Sequence, residues 1–147
     1  MFSQPVRAVM GRKELVTATP ETTVRQAAEL MARKKIGALM VVERECLVGI
    51  FTERDALFAV IARGRNPETT RLADVMTASP QTIGPEKSFG YALLVMQEQG
   101  FRHLPVLEEG KLIGIVSVRN ALDPDLEEFI YESKRRMQFL RERERDR

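Results

Sequence analysis

Two heptapeptides of this chain, GIFTERD and GIVSVRN, hold the side chains best suited to bind a ligand. In each of them a hydroxyl and a carboxylate or amide stand three residues apart, as Thr52 and Asp55 and as Ser117 and Asn120. A hydroxyl at the start of a helix lies beside free backbone N–H groups, which attract an anion such as phosphate. A carboxylate accepts hydrogen bonds from both hydroxyls of a ribose, whereas an amide accepts through one oxygen only. The pattern predicts nucleotide binding, with ribose held more strongly by Asp55 than by Asn120.

Further cationic side chains stand next to these motifs. Arg54 and Arg119 are placed to reach a phosphate group. Arg102 and His103 precede a strand in the second half of the chain, where the first half has a glycine and Ala38. The second half therefore has the greater cationic capacity and the first half a small, neutral wall, so we expect two sites that are not identical.

A nucleotide also needs a slot for its flat base. Two short predicted strands, Val16-Thr17 and Thr82-Ile83, offer backbone groups and an apolar wall for this purpose. Each of these strands comes early in its half of the chain, well before the heptapeptide. The predicted sites therefore draw on residues that are distant in sequence and must be brought together by the fold.

The two heptapeptides lie 65 positions apart, and the same offset relates other residues over about 40 positions without a gap, for example Pro20 with Pro85 and Met31 with Met96. Such a register means that one structural unit is written twice. Each copy has only about 60 residues, a size at which an isolated core is marginal. We therefore expect the copies to fold as one body with the site in the cleft between them.

Hydrophobic spacing predicts the elements that position these residues. Val24, Ala27, Ala28 and Met31 repeat at the helical period, after threonines that suit an N-cap. The apolar runs ALMVVE and LVGIFT predict two paired strands, and Thr52 is a suitable cap for the next helix. The first copy thus reads as a β-α-β-β-α unit.

The second copy repeats this order. Ser88 is the predicted helix cap, and HLPVLE and KLIGIVS are the predicted strands. Pro105 lies inside the first of them, where a proline favours an edge position or a bulge because it has no N–H to donate. Asp123 followed by Pro124 then predicts the start of a charged amphipathic helix that runs to the C-terminus.

Bulk composition excludes several classes of protein. The 147 residues are 44% hydrophobic and 30% charged, and no run of about 18 apolar residues predicts a membrane span. The N-terminus lacks the apolar core of a signal peptide, and Cys46 suits a reducing cytoplasm, so we expect a cytoplasmic protein. Cys46 is the single cysteine and His103 the single histidine, which argues against a disulfide framework and a zinc site. A net charge of +2 argues against nucleic-acid binding.

The order and duplication of these pieces strongly resemble a tandem pair of cystathionine-β-synthase (CBS) domains, also called a Bateman module. The matching pieces are VRAVM and LADVM at the start of each copy, the stretches before the first helices, the second hairpin, and the two heptapeptides. The resemblance implies an α/β (α+β) fold of two β-α-β-β-α units packed about a pseudo-two-fold axis. It implies a first CBS domain over 5–65 and a second over 72–123, which the charged amphipathic helix predicted from the sequence follows over 124–147.

The resemblance also implies a regulatory function. Such modules bind adenosine compounds, namely AMP, ADP, ATP, NAD or S-adenosylmethionine, and associate as homodimers whose shape an effector protein reads. By the match, Thr52 and Asp55 take the polar roles in one site, and Ser117 and Asn120 in the other. No catalytic cofactor or metal is implied, and the chain lacks the common catalytic motifs, so we expect no enzyme activity. The alternative is a degenerate pair that serves as a dimeric interaction scaffold without ligand.

Overall fold

The computed structural model describes residues 1–10, 14–121 and 124–146. A four-stranded sheet forms the centre of the first half, with strands in the order β1-β2-β3-β4. Their bounds are Thr17–Ala18 for β1, Ala38–Glu43 for β2, Cys46–Thr52 for β3 and Thr77–Ala78 for β4. The β2–β3 hairpin is confirmed, and its two-residue turn has positive φ at Arg44 and Glu45. Strand β1 begins at Thr17, one residue later than the predicted strand Val16-Thr17.

Helix α2, Val24–Lys34, packs on this sheet. Thr23 and Gln26 form a capping box at its start, which satisfies two backbone N–H groups that the helix leaves free. Val24, Ala27 and Met31 are buried as predicted, but the prediction for Ala28 is wrong. Its side chain is exposed because it lies at the edge of a narrow buried stripe and lines a cavity between the two halves.

Thr52 caps the next helix, as predicted. Helix α3, Glu53–Asp55, continues directly into a π-helical turn over Ala56–Ile61, in which the N–H of Ala62 donates to the carbonyl of Leu57 at 2.8 Å. The helical stretch ends near Gly64, whose φ is positive. The hydrophobic spacing of this stretch does not distinguish the wider π turn from an α-helix.

The second half holds helix α5, Phe89–Gln99, and the antiparallel hairpin of β5, His103–Glu108, and β6, Lys111–Ser117. Ser88 caps α5 by accepting from the N–H of Tyr91. The equivalent of β1 is here a single parallel bridge between Ile83 and Val106.

Pro105 accounts for the short pairing at this bridge. Its carbonyl accepts from the N–H of Ile83 at 3.0 Å, so its nitrogen also faces that neighbour and has no hydrogen to extend the ladder. The hydrogen bonds between β5 and β6 are unaffected, because the nitrogen of Pro105 does not face β6. The adjacent irregularity at Val106 is not caused by the proline, because the first copy has the same irregularity at Val41.

The first segment of each copy packs in the core of the other copy. These leading segments are residues 5–10, which include α1 (Val6–Val9), and residues 71–76, which include α4 (Leu72–Val75). Val6 is fully buried among the second-half core residues, and Leu72 is fully buried in the first-half core. The two copies are therefore joined by a reciprocal exchange, as expected of a pseudo-two-fold pair.

Backbone hydrogen bonds hold both leading segments in equivalent ways. The N–H groups of Val6 and Arg7 donate to the carbonyls of Lys87 and Pro85 at 2.8 and 2.9 Å. In the other copy, the N–H groups of Leu72 and Ala73 donate to the carbonyls of Thr22 and Pro20 at 2.8 and 3.0 Å. Each leading segment is thus held by the turn before the first long helix of the opposite copy.

Helix α6 runs over Pro124–Arg145. The predicted cap Asp123 lies outside the described residues. Met137, Phe139 and Leu140 are each more than half exposed. Among the helices of the described residues, none has both the length and the apolar character that crossing a bilayer requires.

Candidate functional site

The crossing of the leading segments brings the closing heptapeptide of each copy next to the early residues of the other. Cleft one, a cavity of about 520 Å³, combines the GIFTERD motif with second-copy residues around Gln81 and His103. Cleft two, about 310 Å³, combines the GIVSVRN motif with first-copy residues around Val16 and Ala38. Each cleft is therefore built from both copies.

Asp55 in cleft one is held by two hydrogen bonds from Thr52. Its Oδ2 accepts from the backbone N–H of Thr52 at 2.9 Å and from the Thr52 hydroxyl at 3.1 Å. The Thr52 oxygen in turn accepts from the N–H of Asp55 at 3.2 Å. Within the described part of the chain no hydrogen bond uses the second carboxylate oxygen, Oδ1. A fixed carboxylate therefore keeps one acceptor atom for a partner.

Apolar residues form much of the wall of cleft one. They come from β3, from the π-helical turn, and from the second-copy segments before Thr82 and before β5: Ile50, Leu57, Phe58, Pro80 and Phe101. The guanidinium of Arg54 lies 5.8 Å from the ring centre of Phe58, within the range of a cation–π contact. The cleft thus offers a flat apolar surface beside charged groups.

Cleft two has the same plan with different chemistry. Ser117, Arg119 and Asn120 line it from the closing motif, and Glu14 and Val16 line it from the first copy. Asn120 Oδ1 accepts from the N–H of Ser117 at 2.8 Å and from its hydroxyl at 3.3 Å. Both polar atoms of the amide are in use, because Nδ2 donates to the carbonyl of Val9 at 3.1 Å.

His103 stands where the cavities meet. It lines cleft one, cleft two and a third cavity of about 500 Å³ between the copies. Burial lowers the pKa of His103 below its ordinary value of 6.5; the carboxylate of Glu53 opposes this, and Arg102 and Arg119 add to the lowering. His103 is therefore held neutral at a position that every one of these cavities shares.

The thirteen residues predicted to bind ligand fall into three groups. Those lining cleft one are Thr52, Arg54, Asp55, Arg102 and His103. Those lining cleft two are Val16, Ala38, His103, Ser117, Arg119 and Asn120. Thr17, Thr82 and Ile83 line none of these cavities; Ile83 is buried in the second-half core.

Several residues of cleft one were not predicted from the sequence. Pro80 and Gln81 lie 65 positions after Leu15 and Val16. The predicted base slot of the second copy began at Thr82, one residue too late. Applying the repeat offset to Leu15 and Val16 would have indicated both residues. Phe101 immediately precedes the arginine that was predicted. Nothing in the sequence indicated Phe58, since it follows the motif in a stretch with the pattern of an ordinary amphipathic helix.

Comparison with known proteins identifies the family. The family model named CBS domain matches residues 6–62 and 72–125. CBS domain-containing protein YhcV of Bacillus subtilis is 32% identical over 105 residues, which are 71% of this chain and 74% of that protein. Some curated relatives are longer: the chain spans 51% of the mitochondrial protein CBSX3 of Arabidopsis thaliana, at 37% identity over 105 residues, or 68% of this chain.

Solved structures match about four fifths of the chain. A candidate signal-transduction protein with CBS domains from Burkholderia ambifaria has a TM-score of 0.76 and 37% identity, covering 80% of this chain and 90% of that one. A CBS domain protein of Pyrobaculum aerophilum, complexed with AMP, has a TM-score of 0.74 over 82% of this chain and 93% of that one. At 21% identity the second likeness shows the fold alone.

Proposed function

The chain belongs to the CBS-domain family, and from this premise we propose that it is a regulatory module that senses an adenosine-containing compound bound in cleft one. The observation that carries the proposal is the uncommitted Oδ1 of Asp55. Both Thr52 bonds go to the other oxygen, so the carboxylate is fixed in orientation and still has an acceptor for a ribose diol.

The remaining surfaces of cleft one suit the other parts of a nucleotide. The apolar wall offers a stacking surface for adenine, with Phe58 and Phe101 as its aromatic members. Arg54 and Arg102 line the same cavity and supply positive charge for phosphate. A cavity of about 520 Å³ has the volume usual for small-molecule sites. The Pyrobaculum protein shares the fold alone, and its complex with AMP supports the proposal to the extent that this fold accommodates such a ligand.

A thermal unfolding assay tests the proposal. Purified, ligand-stripped protein is melted alone and with AMP, ADP, ATP, NAD and S-adenosylmethionine. A ligand at about 100 times its Kd stabilises the folded state by about 2.7 kcal/mol, a shift of several degrees for a chain of this size. Absence of a shift with every compound would refute the proposal.

The choice of variant matters in this assay. Asp55→Ala would remove both bonds to Thr52 and weaken the helix start as well as the site. Asp55→Asn keeps an oxygen for those bonds and places an amide, which donates, where a ribose hydroxyl needs an acceptor. We expect Asp55→Asn to melt near the wild-type temperature and to lose about 10- to 100-fold in affinity, the value of a hydrogen bond to a charged group.

Exposed apolar side chains favour self-association, and we propose a homodimer. Leu57, Phe58 and Ile61 on the π-helical turn, and Tyr91 and Leu94 on α5, are each at least half exposed. Helical surfaces of this kind mark protein interfaces. Sedimentation of wild type against Ile61→Asp, with Leu140→Asp as a control, tests it: a dimer that only Ile61→Asp weakens supports the proposal, and a wild-type monomer refutes it.

The same surfaces support the second candidate function, a dimeric scaffold without ligand, in which a partner protein binds the dimer. The nucleotide assay separates the two, because a scaffold melts at one temperature with and without nucleotide. In either case the role is regulatory and not catalytic. The exposed free thiol of Cys46 suits a reducing compartment, which we take to be the cytoplasm.

A further inference from the structure

Resting on the proposed function, we infer that Asn120 fastens the leading segment 5–10 and leaves cleft two without an acceptor for ribose, so that one chain holds one ribosyl ligand, in cleft one. Asp55 and Asn120 are equivalent residues of the two repeats. Their side chains differ by one atom type. Within the described residues, the differing atom, Oδ1 in Asp55 and Nδ2 in Asn120, has a hydrogen-bond partner in the second copy only.

The hydrogen bonds of Asn120 fix which end of its amide faces which partner. The backbone N–H of Ser117 can only donate, so the amide oxygen must face it. The carbonyl of Val9 can only accept, so the amide nitrogen must face it. A carboxylate at position 120 could make the first bond and not the second. The asparagine is therefore required by the Val9 contact and not by the helix start.

The Val9 contact spans 111 positions of sequence and reaches the last turn of α1. It adds a side-chain bond to the backbone bonds that Val6 and Arg7 already make with the second copy. In the first copy Asp55 donates nothing to the equivalent leading segment, since a carboxylate has no hydrogen to give. Only one of the two leading segments is fastened in this way.

The same bond removes the ribose acceptor from cleft two. In cleft one the carboxylate keeps Oδ1 for a ligand, whereas in cleft two the corresponding atom is Nδ2, already bonded to Val9. Cleft two is also the smaller, about 310 Å³ against 520 Å³. A nucleoside placed there would have to break the Val9 bond and would meet a donor in place of an acceptor.

Asp55→Asn tests the single ligand site in cleft one, and the opposite change, Asn120→Asp, tests the fastening of the leading segment 5–10. Isothermal titration calorimetry of the ligand-stripped chain with AMP is expected to give one AMP per chain in wild type and to show about 10- to 100-fold weaker binding in Asp55→Asn. Two AMP per chain in wild type, or unchanged binding in Asp55→Asn, would overturn the assignment of a single site in cleft one.

Native-state amide hydrogen exchange tests the fastening without any ligand. Asn120→Asp removes the Val9 bond and sets a carboxylate against a carbonyl, so we expect the amides of Val6, Arg7 and Met10 to exchange about tenfold faster. The amides of Leu72 and Ala73, in the other leading segment, are the matched control and are expected to keep the wild-type rate. High salt is used so that attraction to Arg119 does not mask the loss.

Equal exchange of residues 6–10 in wild type and Asn120→Asp would overturn the fastening. If AMP and its analogues bind to no variant, the proposed function fails, and the exchange experiment still decides the role of Asn120. The two failures are thus distinct.

Discussion

Met76 lies against the bare Cα of Gly49 in the middle of β3. A Cβ added to Gly49 would stand 2.9 Å from Cγ of Met76 and closer still to its sulfur. The equivalent contact in the other half is between Met10 and Gly114, where an added Cβ would stand 3.1 Å from the sulfur. In both cases a methionine of one leading segment packs on the glycine that begins the opposite closing motif. These glycines of the heptapeptides therefore serve the joining of the copies.

Gly49→Ala tests this packing. The added methyl must displace Met76 from a half-buried position, so we expect a loss of about 1–3 kcal/mol in the free energy of unfolding, measured by urea denaturation. Gly84→Ala is the matched control, since its Cβ would meet nothing within 4 Å and its φ is ordinary. A control that lost as much would show that the loss does not come from the Met76 contact, since alanine at an unstrained glycine position is expected to stabilise slightly.

Leu72→Ala tests the exchange of leading segments. Leu72 is fully buried in the first-half core although it belongs to the second repeat, so we expect a loss of about 2–5 kcal/mol. Leu140→Ala, at a side chain that is 55% exposed, is expected to change stability by less than about 0.5 kcal/mol. A small effect of Leu72→Ala would mean that the first-half core closes without the second repeat.

Thr52→Ala separates capping from ligand binding. Thr52 and Thr23 each form a capping box, and loss of either is expected to cost about 1 kcal/mol of stability. Thr52 also orients Asp55, so AMP affinity is expected to fall in Thr52→Ala alone. Equal AMP affinity in Thr52→Ala and Thr23→Ala would show that Thr52 does not contribute to ligand binding.

His103 is expected to make stability depend on pH. Burial lowers its pKa in the folded state below 6.5, so between the folded and unfolded pKa values the unfolded chain binds more protons. The contribution of His103 to stability is complete above pH 6.5 and is lost as pH falls, because burial, aided by Arg102 and Arg119, outweighs the opposing effect of Glu53 on its pKa. The Tm of wild type should fall more steeply from about pH 7 to pH 5 than that of His103→Gln. Parallel curves would contradict this.

Local patterns predicted most of the elements. The helical period at Val24 and Met31, the alternation of apolar runs with turns, and the hydroxyl caps at Thr52 and Ser88 each act within a few residues, so a single stretch of sequence contains them. The exposed Ala28 departs from the pattern because the surface it faces is a cavity and not a sheet.

The arrangement of the clefts could not be predicted in this way. The leading segments VRAVM and LADVM are similar, and so are the two cores, so nothing local tells Val6 which core to join. The choice depends on contacts between residues more than 70 positions apart, such as Val6 with Lys87. The Val9 bond of Asn120 was hidden for a further reason, since its partner is a backbone carbonyl that any residue carries.

The reciprocal exchange of leading segments has a consequence for how such a chain can arise. A polypeptide with one repeat would leave its own core open where the other repeat's leading segment belongs, and could fill it only by trading that segment with a second molecule. Gene duplication and fusion would keep each of these contacts and turn an exchange between molecules into one within a chain. Once fused, the two copies are free to diverge, as Asp55 and Asn120 have done.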